Sequence, residues 1–286
     1  MMESWVEWDN QITLEEIRAK LLLEHNIQAS TSTIHRMLDE RIFTYKNVHH
    51  ELLQMNDPQF KQMRQEYVRR LRTMLGEGKI PIWIDETNHN LFTARTKARS
   101  KCGTRAVNQR DSSQKEKNLH IIGAISTNNF LYCAAIRGAY KGQHANDWLR
   151  DMLRQAKAYF GALGDLVVIC DNAPCHSRLG DVLHEEEFED VSLLRLSPYS
   201  PMMNPIGNLW SMMKNHVKSL LRERLAAFMG PAPDGEPRDE FRLSYLEHVA
   251  HEFIAGVDVN RLHRLSLRLE HFYTIAENLG NMEVGT

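Results

Sequence analysis

Apolar positions recur at helical spacing from the start of the chain. Over residues 12–26, Leu14, Ile17 and Leu21 share a face, Thr13 stands where a cap is needed, and acids fill the first turn. A polar break, IQASTS, separates this segment from a second short helix that opens at Ser32 and places Ile34 and Leu38 together. Phe60, Met63, Tyr67, Leu71 and Met74 predict a long helix over 58–75, ending at Gly76. The period then shortens. Residues 80–85 (IPIWID) read as a strand closed by acids, and 119–126 and 130–136 read as two more joined by a turn at Asn128 and Asn129. Residues 142–160 form a strongly amphipathic helical pattern. Leu166–Cys170 is a continuous apolar run, as in a strand buried on both faces. A short strand over 192–196 precedes a helical stripe of Ile206, Leu209, Trp210, Met213, Val217 and Leu220. After a loop at 230–237, helical patterns over 241–255 and 260–279 close the chain. Hairpin strands followed by strand–helix alternation predict an α/β domain from about 79 to 228, with helical material at both ends.

Composition narrows the class without deciding it. With 286 residues, 42% hydrophobic and 25% charged, the chain reads as a globular protein rather than a disordered one. No apolar run reaches the roughly 18 residues of a membrane span, and the first residues lack a basic-then-apolar signal pattern, so no membrane partner is expected. Four cysteines without a CxxC pair favour a reducing, intracellular setting over a disulfide framework or a structural zinc site. The net charge of -2 hides local asymmetry: 87–118 carries eight Lys or Arg against two acids, whereas 181–190 carries six acids and no Lys or Arg. On charge alone the basic segment reads first as a solvated face, with a polyanion contact as the alternative.

The two N-terminal helices with a tight break are a helix-turn-helix pattern, whose second helix offers Thr33, His35 and Arg36 to DNA; a plain helical hairpin reads the same way. Asp85 closes the first predicted strand and Asp171 follows the buried LVVIC strand, the positions where open α/β sheets place their sites. Two such carboxylates either cap their turns or hold a hard divalent cation. Trp83 and Trp210 flank these positions as core residues or base-stacking platforms.

Three segments, WIDETNHNLFTARTKARSKCGTRAV (83–107), VVICDNAPCHSR (167–178) and LLRLSPYSPMMNPIGNLWSMMKNHVK (193–218), resemble the signature blocks of the DDE transposases of the mariner superfamily, including their bacterial insertion-sequence relatives. The resemblance spans about residues 12–228. It implies an RNase H-like α/β core, a mixed sheet flanked by helices, with an N-terminal helix-turn-helix and C-terminal helices. The implied layout is a DNA-binding region over 1–50, a helical linker over 51–78, the core over 79–228 and a helical extension over 229–286. It also implies a triad of acids holding two Mg²⁺ or Mn²⁺ ions for DNA strand cleavage and transfer, with Asp85 and Asp171 as the first two acids and metal ligands. Gly207 stands where the third, usually Glu or Asp, belongs. Asn172, His176, Asn204 and Asn208 are candidate site neighbours, with packing or capping an equal reading for His176. Lys46, Lys97, Arg99, Lys101 and Arg105 join Thr33, His35 and Arg36 as DNA-contact candidates, and Lys214, Lys218, Arg222 and Arg224 are weaker ones. Only one of the family's two helix-turn-helix units has a counterpart here. The expectation is a transposase, or a DNA-binding protein derived from one, with cleavage impaired at Gly207. Alternatives are an active strand transferase using a substitute acid, or a protein reused for DNA binding or assembly. DNA is the expected partner, homodimer formation is an open one, and the nucleus of a eukaryotic host, or otherwise the cytoplasm, is the expected compartment.

Overall fold

The computed structural model describes residues 1–9, 12–40, 51–90, 118–138, 142–224, 232 and 236–284. These fall into two compact units, 1–50 and 51–286.

Among the described residues, the first unit holds three helices: α1 (Met2–Trp8), α2 (Leu14–His25) and α3 (Thr31–Asp39). Thr13 caps α2 through a reciprocal capping box, its side chain accepting from Glu16 N while Glu16 takes the Thr13 N–H. Asn26 ends α2 in the left-handed conformation, and Ser30 caps α3. Ile17, Leu21, Ile34 and Leu38 form the buried centre, with Met2, Trp5 and Val6 of α1 packed against them. The helix α1 is additional to the sequence expectation; seven residues give too short a stripe to stand out.

The second unit is built on one five-stranded sheet in the order β3-β2-β1-β4-β5. Its strands are β1 (Ile80–Asn90), β2 (Asn118–Ser126), β3 (Phe130–Arg137), β4 (Leu166–Cys170) and β5 (Ser192–Arg195). The first three pair antiparallel, while β1, β4 and β5 pair parallel, giving a mixed sheet. Its helices are α4 (Pro58–Gly76), α5 (Gly142–Phe160), α6 (Leu179–Leu183), α7 (Ile206–Glu223), α8 (Arg238–Ala255) and α9 (Leu262–Glu277). Strand alternation divides the core in two. Trp83, Ile121, Val167 and Ile169 join α4, α7, α8 and α9 on one face, whereas Ile82, Ile84, Ile122 and Val168 join α5 and α6 on the other.

One expectation needs correction. Asp85 does not end its strand: β1 runs on to Asn90, because β2 continues to pair with it as far as Asn90↔Asn118. Only the parallel partner stops early, the last β1–β4 pair being Trp83↔Ile169. The segment 51–78, read as a linker, packs into the second unit. Asn56 exchanges hydrogen bonds of 2.9 Å with both backbone groups of Met282, and the fully buried Arg64 donates to Met55 O at 2.8 Å and Asn56 Oδ1 at 3.2 Å.

Candidate active site

Two residues beyond the last parallel pair on each strand stand Asp85 and Asp171, so the register brings them to the same level on adjacent strands. Asp85 shares the face of Trp83, where α7 packs. Gly123 lies directly across the hairpin from it, and the Trp210 ring covers that glycine so closely that a Cβ there would be 2.6 Å from Cη2. Gly207 is one turn before Trp210 on α7, hence on the same side of the helix. Just ahead of α7, the buried Asn204 donates to Ile84 O at 3.4 Å, tying the helix start to the strand beside Asp85. A Cβ at Gly207 would meet nothing within 4 Å. Open space therefore borders α7 at this position.

Asp171 leaves its strand in a tight turn, Oδ1 accepting from Ala173 N at 2.9 Å and from His176 Nδ1 at 2.6 Å. His176 is fully buried, and its Nε2 sits 2.8 Å from Glu86 Oε2. Arg195 at the end of β5 clamps this turn from behind, donating to Asp171 O at 3.0 Å and His176 O at 2.6 Å. Asn172 donates to Leu196 O at 2.8 Å, fixing the turn to the sheet edge.

The electrostatics follow from this arrangement. Burial, then the charges of Glu86 and Asp171, push the Asp85 carboxyl up to about 7. Burial also works against ionised Asp171 and Glu86, but the contacts with His176 outweigh it and hold both below their ordinary values. For His176 itself, burial alone would favour the neutral ring; Asp171, Cys175 and Glu86 reverse this and raise it to about 12. A buried carboxyl held near neutrality beside a second carboxylate is the environment that a divalent cation relieves. The donor set fits in part: Asp85 and Asp171 are hard oxygen ligands, and the third position offers space without a donor.

Comparison with known proteins gives this geometry its context. The DDE superfamily endonuclease family matches residues 81–226. The chain belongs to that family. Among curated proteins none matches the sequence. Solved structures do: the Mos1 transposase paired-end complex with left transposon end matches with a TM-score of 0.61 at 14% identity, covering 98% of this chain and 78% of that one. The Mos1 mariner paired-end complexes with Mn and with Mg match with TM-scores of 0.60 and 0.61 at 15% identity, each covering 98% of this chain and 78% and 77% of theirs. At these identities the likeness establishes the fold, which is the RNase H-like fold of a mariner-type DDE transposase.

Within this DDE-family core, Asn208 is half-buried on α7, and Trp83 and Trp210 are core residues. In the first unit, His35 and Arg36 are exposed on α3, while Thr33 is engaged with the cap, its Oγ1 2.9 Å from Ser30 Oγ. Lys214 and Lys218 are exposed, and Arg224 pairs with Glu252 at 3.3 Å. Lys46, Lys97, Arg99, Lys101 and Arg105 lie outside the described residues. Two of the acids in 181–190, Glu185 and Glu187, pair with Arg150 and Arg154 of α5 at 2.7 and 2.8 Å, and Asp147 pairs with Arg150 at 2.7 Å. Sequence reasoning missed Glu86, Cys175 and Arg195 as parts of this neighbourhood. A charged residue ending a short apolar strand was the available signal for Arg195.

Proposed function

We propose that this chain is a DNA-binding protein of the mariner-like DDE transposase type whose strand-cleaving centre lacks its third carboxylate. The observation that carries the reading is the in-register pair Asp85 and Asp171 facing a helix on which Gly207 leaves open space. Asp85 and Asp171 would hold Mg²⁺ or Mn²⁺. Such ions supply an activated nucleophile and stabilise the leaving oxygen in phosphoryl transfer. With one ligand missing, the chain keeps the site's shape and loses most of its hold on the cations. Asn204 positions the start of α7 against β1, and Arg195 and His176 position Asp171.

DNA contacts are assigned to His35 and Arg36 on the exposed side of α3, and to Lys46, Lys97, Arg99, Lys101 and Arg105. The support is the exposed α3 surface and the excess of basic residues in 87–118. Glu86 is a poor substitute acid, since its carboxylate lies on the opposite sheet face, where Oε1 accepts from Cys175 and Oε2 faces His176 at 2.8 Å.

Supercoiled plasmid incubated with the full chain and Mg²⁺ or Mn²⁺ tests both parts. Retarded but uncut plasmid is the expected result. Metal-dependent nicking overturns the impairment, and the absence of retardation at low salt overturns the DNA assignment.

A further inference from the structure

Glu86 is one residue beyond Asp85 and so projects to the other sheet face, with Ile82 and Ile84. There its carboxylate meets two neighbours from the single turn Pro174–His176. Cys175 Sγ donates to Oε1 at 2.9 Å, and His176 Nε2 lies 2.8 Å from Oε2. One donor atom from each of the three residues lies within 4.8 Å of the others. Thiolate, imidazole and carboxylate together form a ligand set for a borderline-soft cation; Mg²⁺ prefers oxygen alone.

Two further observations point to a ligand. The first is His176 Nε2, which is fully buried, aimed at Glu86 and outside hydrogen-bond alignment with it; Glu86 Oε2 is likewise buried without a hydrogen-bond partner. The second is the opposite edge of the same ring. Asp171 Oδ1 lies 2.6 Å from His176 Nδ1, which orients the ring so that Nε2 faces the cluster. Metal-binding histidines are commonly oriented by such a carboxylate. Arg195, holding the carbonyls of both Asp171 and His176, fixes the two in place beforehand.

We propose that Glu86, Cys175 and His176 form a binding site for Zn²⁺ or a cation of the same class, separate from the Asp85–Asp171 pair. Water takes the remaining coordination position. Binding releases the Cys175 thiol proton, and any proton on Nε2, to solvent; nothing is oxidised or reduced. Asp171 is the positioning residue that joins the two sites, orienting His176 with Oδ1. The site needs neither DNA nor cleavage, so it stands or falls apart from the nuclease reading.

Cobalt titration of the metal-free full chain tests it. One equivalent of Co²⁺ should give a thiolate-to-cobalt charge-transfer band in the near ultraviolet, and Zn²⁺ should displace it. Cys175→Ser should remove the band while keeping a hydroxyl for Glu86, and Cys102→Ser should retain it. In the wild-type chain, Zn²⁺ but not Mg²⁺ should shield Cys175 from iodoacetamide, a readout that needs no variant. Asp171→Asn should weaken cobalt binding about 10- to 100-fold with the band preserved. No band in the wild-type chain, a band surviving Cys175→Ser, or Cys175 alkylated equally with and without Zn²⁺ overturns the site. Unchanged affinity in Asp171→Asn overturns the link to the strand-end pair.

Discussion

A methyl group added at Gly123 would sit 2.6 Å from Trp210 Cη2 and 2.9 Å from Cys133 Sγ, so glycine is required there by close packing rather than by backbone conformation. Gly123→Ala should lower stability by about 1–3 kcal/mol, as overpacked cores do, read in a denaturant melt. It should also disturb the site, because Gly123 faces Asp85 across the hairpin and Trp210 belongs to the helix that carries Gly207. Burial keeps the thiols of Cys133 and Cys170 protonated, raising them to about 12 and about 11. Neither should react with iodoacetamide at neutral pH in the folded chain, whereas denaturant should expose both; modification of Cys133 without denaturant would contradict its packing. Asp85 and Asp171 stood out as acids closing apolar runs, whereas His176 and the gap at Gly207 came only with the contiguous blocks that resemble the mariner superfamily. Glu86 and Cys175 escaped because they are 89 residues apart, and their meeting depends on which turn folds back onto which sheet face.

Caps and strand ends show where local pattern suffices and where it does not. Thr13 and Glu16 form the box that their three-residue spacing implies, so α2 starts where its sequence indicates. Thr13→Ala should cost the N-terminal unit about 1 kcal/mol. The Thr13 backbone N–H, and next its side chain, hold the Glu16 carboxyl below its ordinary 4.5. Its folded value is depressed, so this contribution is present above 4.5 and is lost as pH falls through the folded value. An acid titration of the unit's helix signal should therefore shift upward in Thr13→Ala. The far end of β1 had no comparable signal. Residues 86–90, ETNHN, lack strand-forming alternation, and only pairing with β2 draws them into the sheet. Helix boundaries at 142–160 and strand boundaries at 166–170 were legible because α5 buries one continuous stripe and β4 is buried along its whole length.

At the scale of the whole molecule, the ends of the second unit are clasped together. Asn56 binds both backbone groups of Met282 and one guanidinium nitrogen of the buried Arg64, three groups that lose this partner without it. Asn56→Ala should therefore destabilise that unit by about 1–3 kcal/mol, seen as a lower Tm. Sequence patterns indicated the helices at either end but held no sign of this closure, which rests on groups 226 residues apart. The charge distribution, in contrast, is readable directly. If 87–118 meets DNA, replacing Lys97, Arg99 and Lys101 by Ala should reduce the slope of log K against log salt by up to about 0.9 for each phosphate no longer neutralised. An unchanged slope removes that segment from the interface. On the proposed reading, one missing carboxylate separates this core from a metal-dependent nuclease. Gly207→Glu tests it most directly, because the space is open and replacing a helical glycine favours the helix by roughly 1 kcal/mol. The measurement is plasmid nicking by the wild-type chain and Gly207→Glu side by side, with Mn²⁺ and with chelator. Nicking is expected from Gly207→Glu alone and only with metal. Equal nicking by both chains, or none by Gly207→Glu, would contradict that reading.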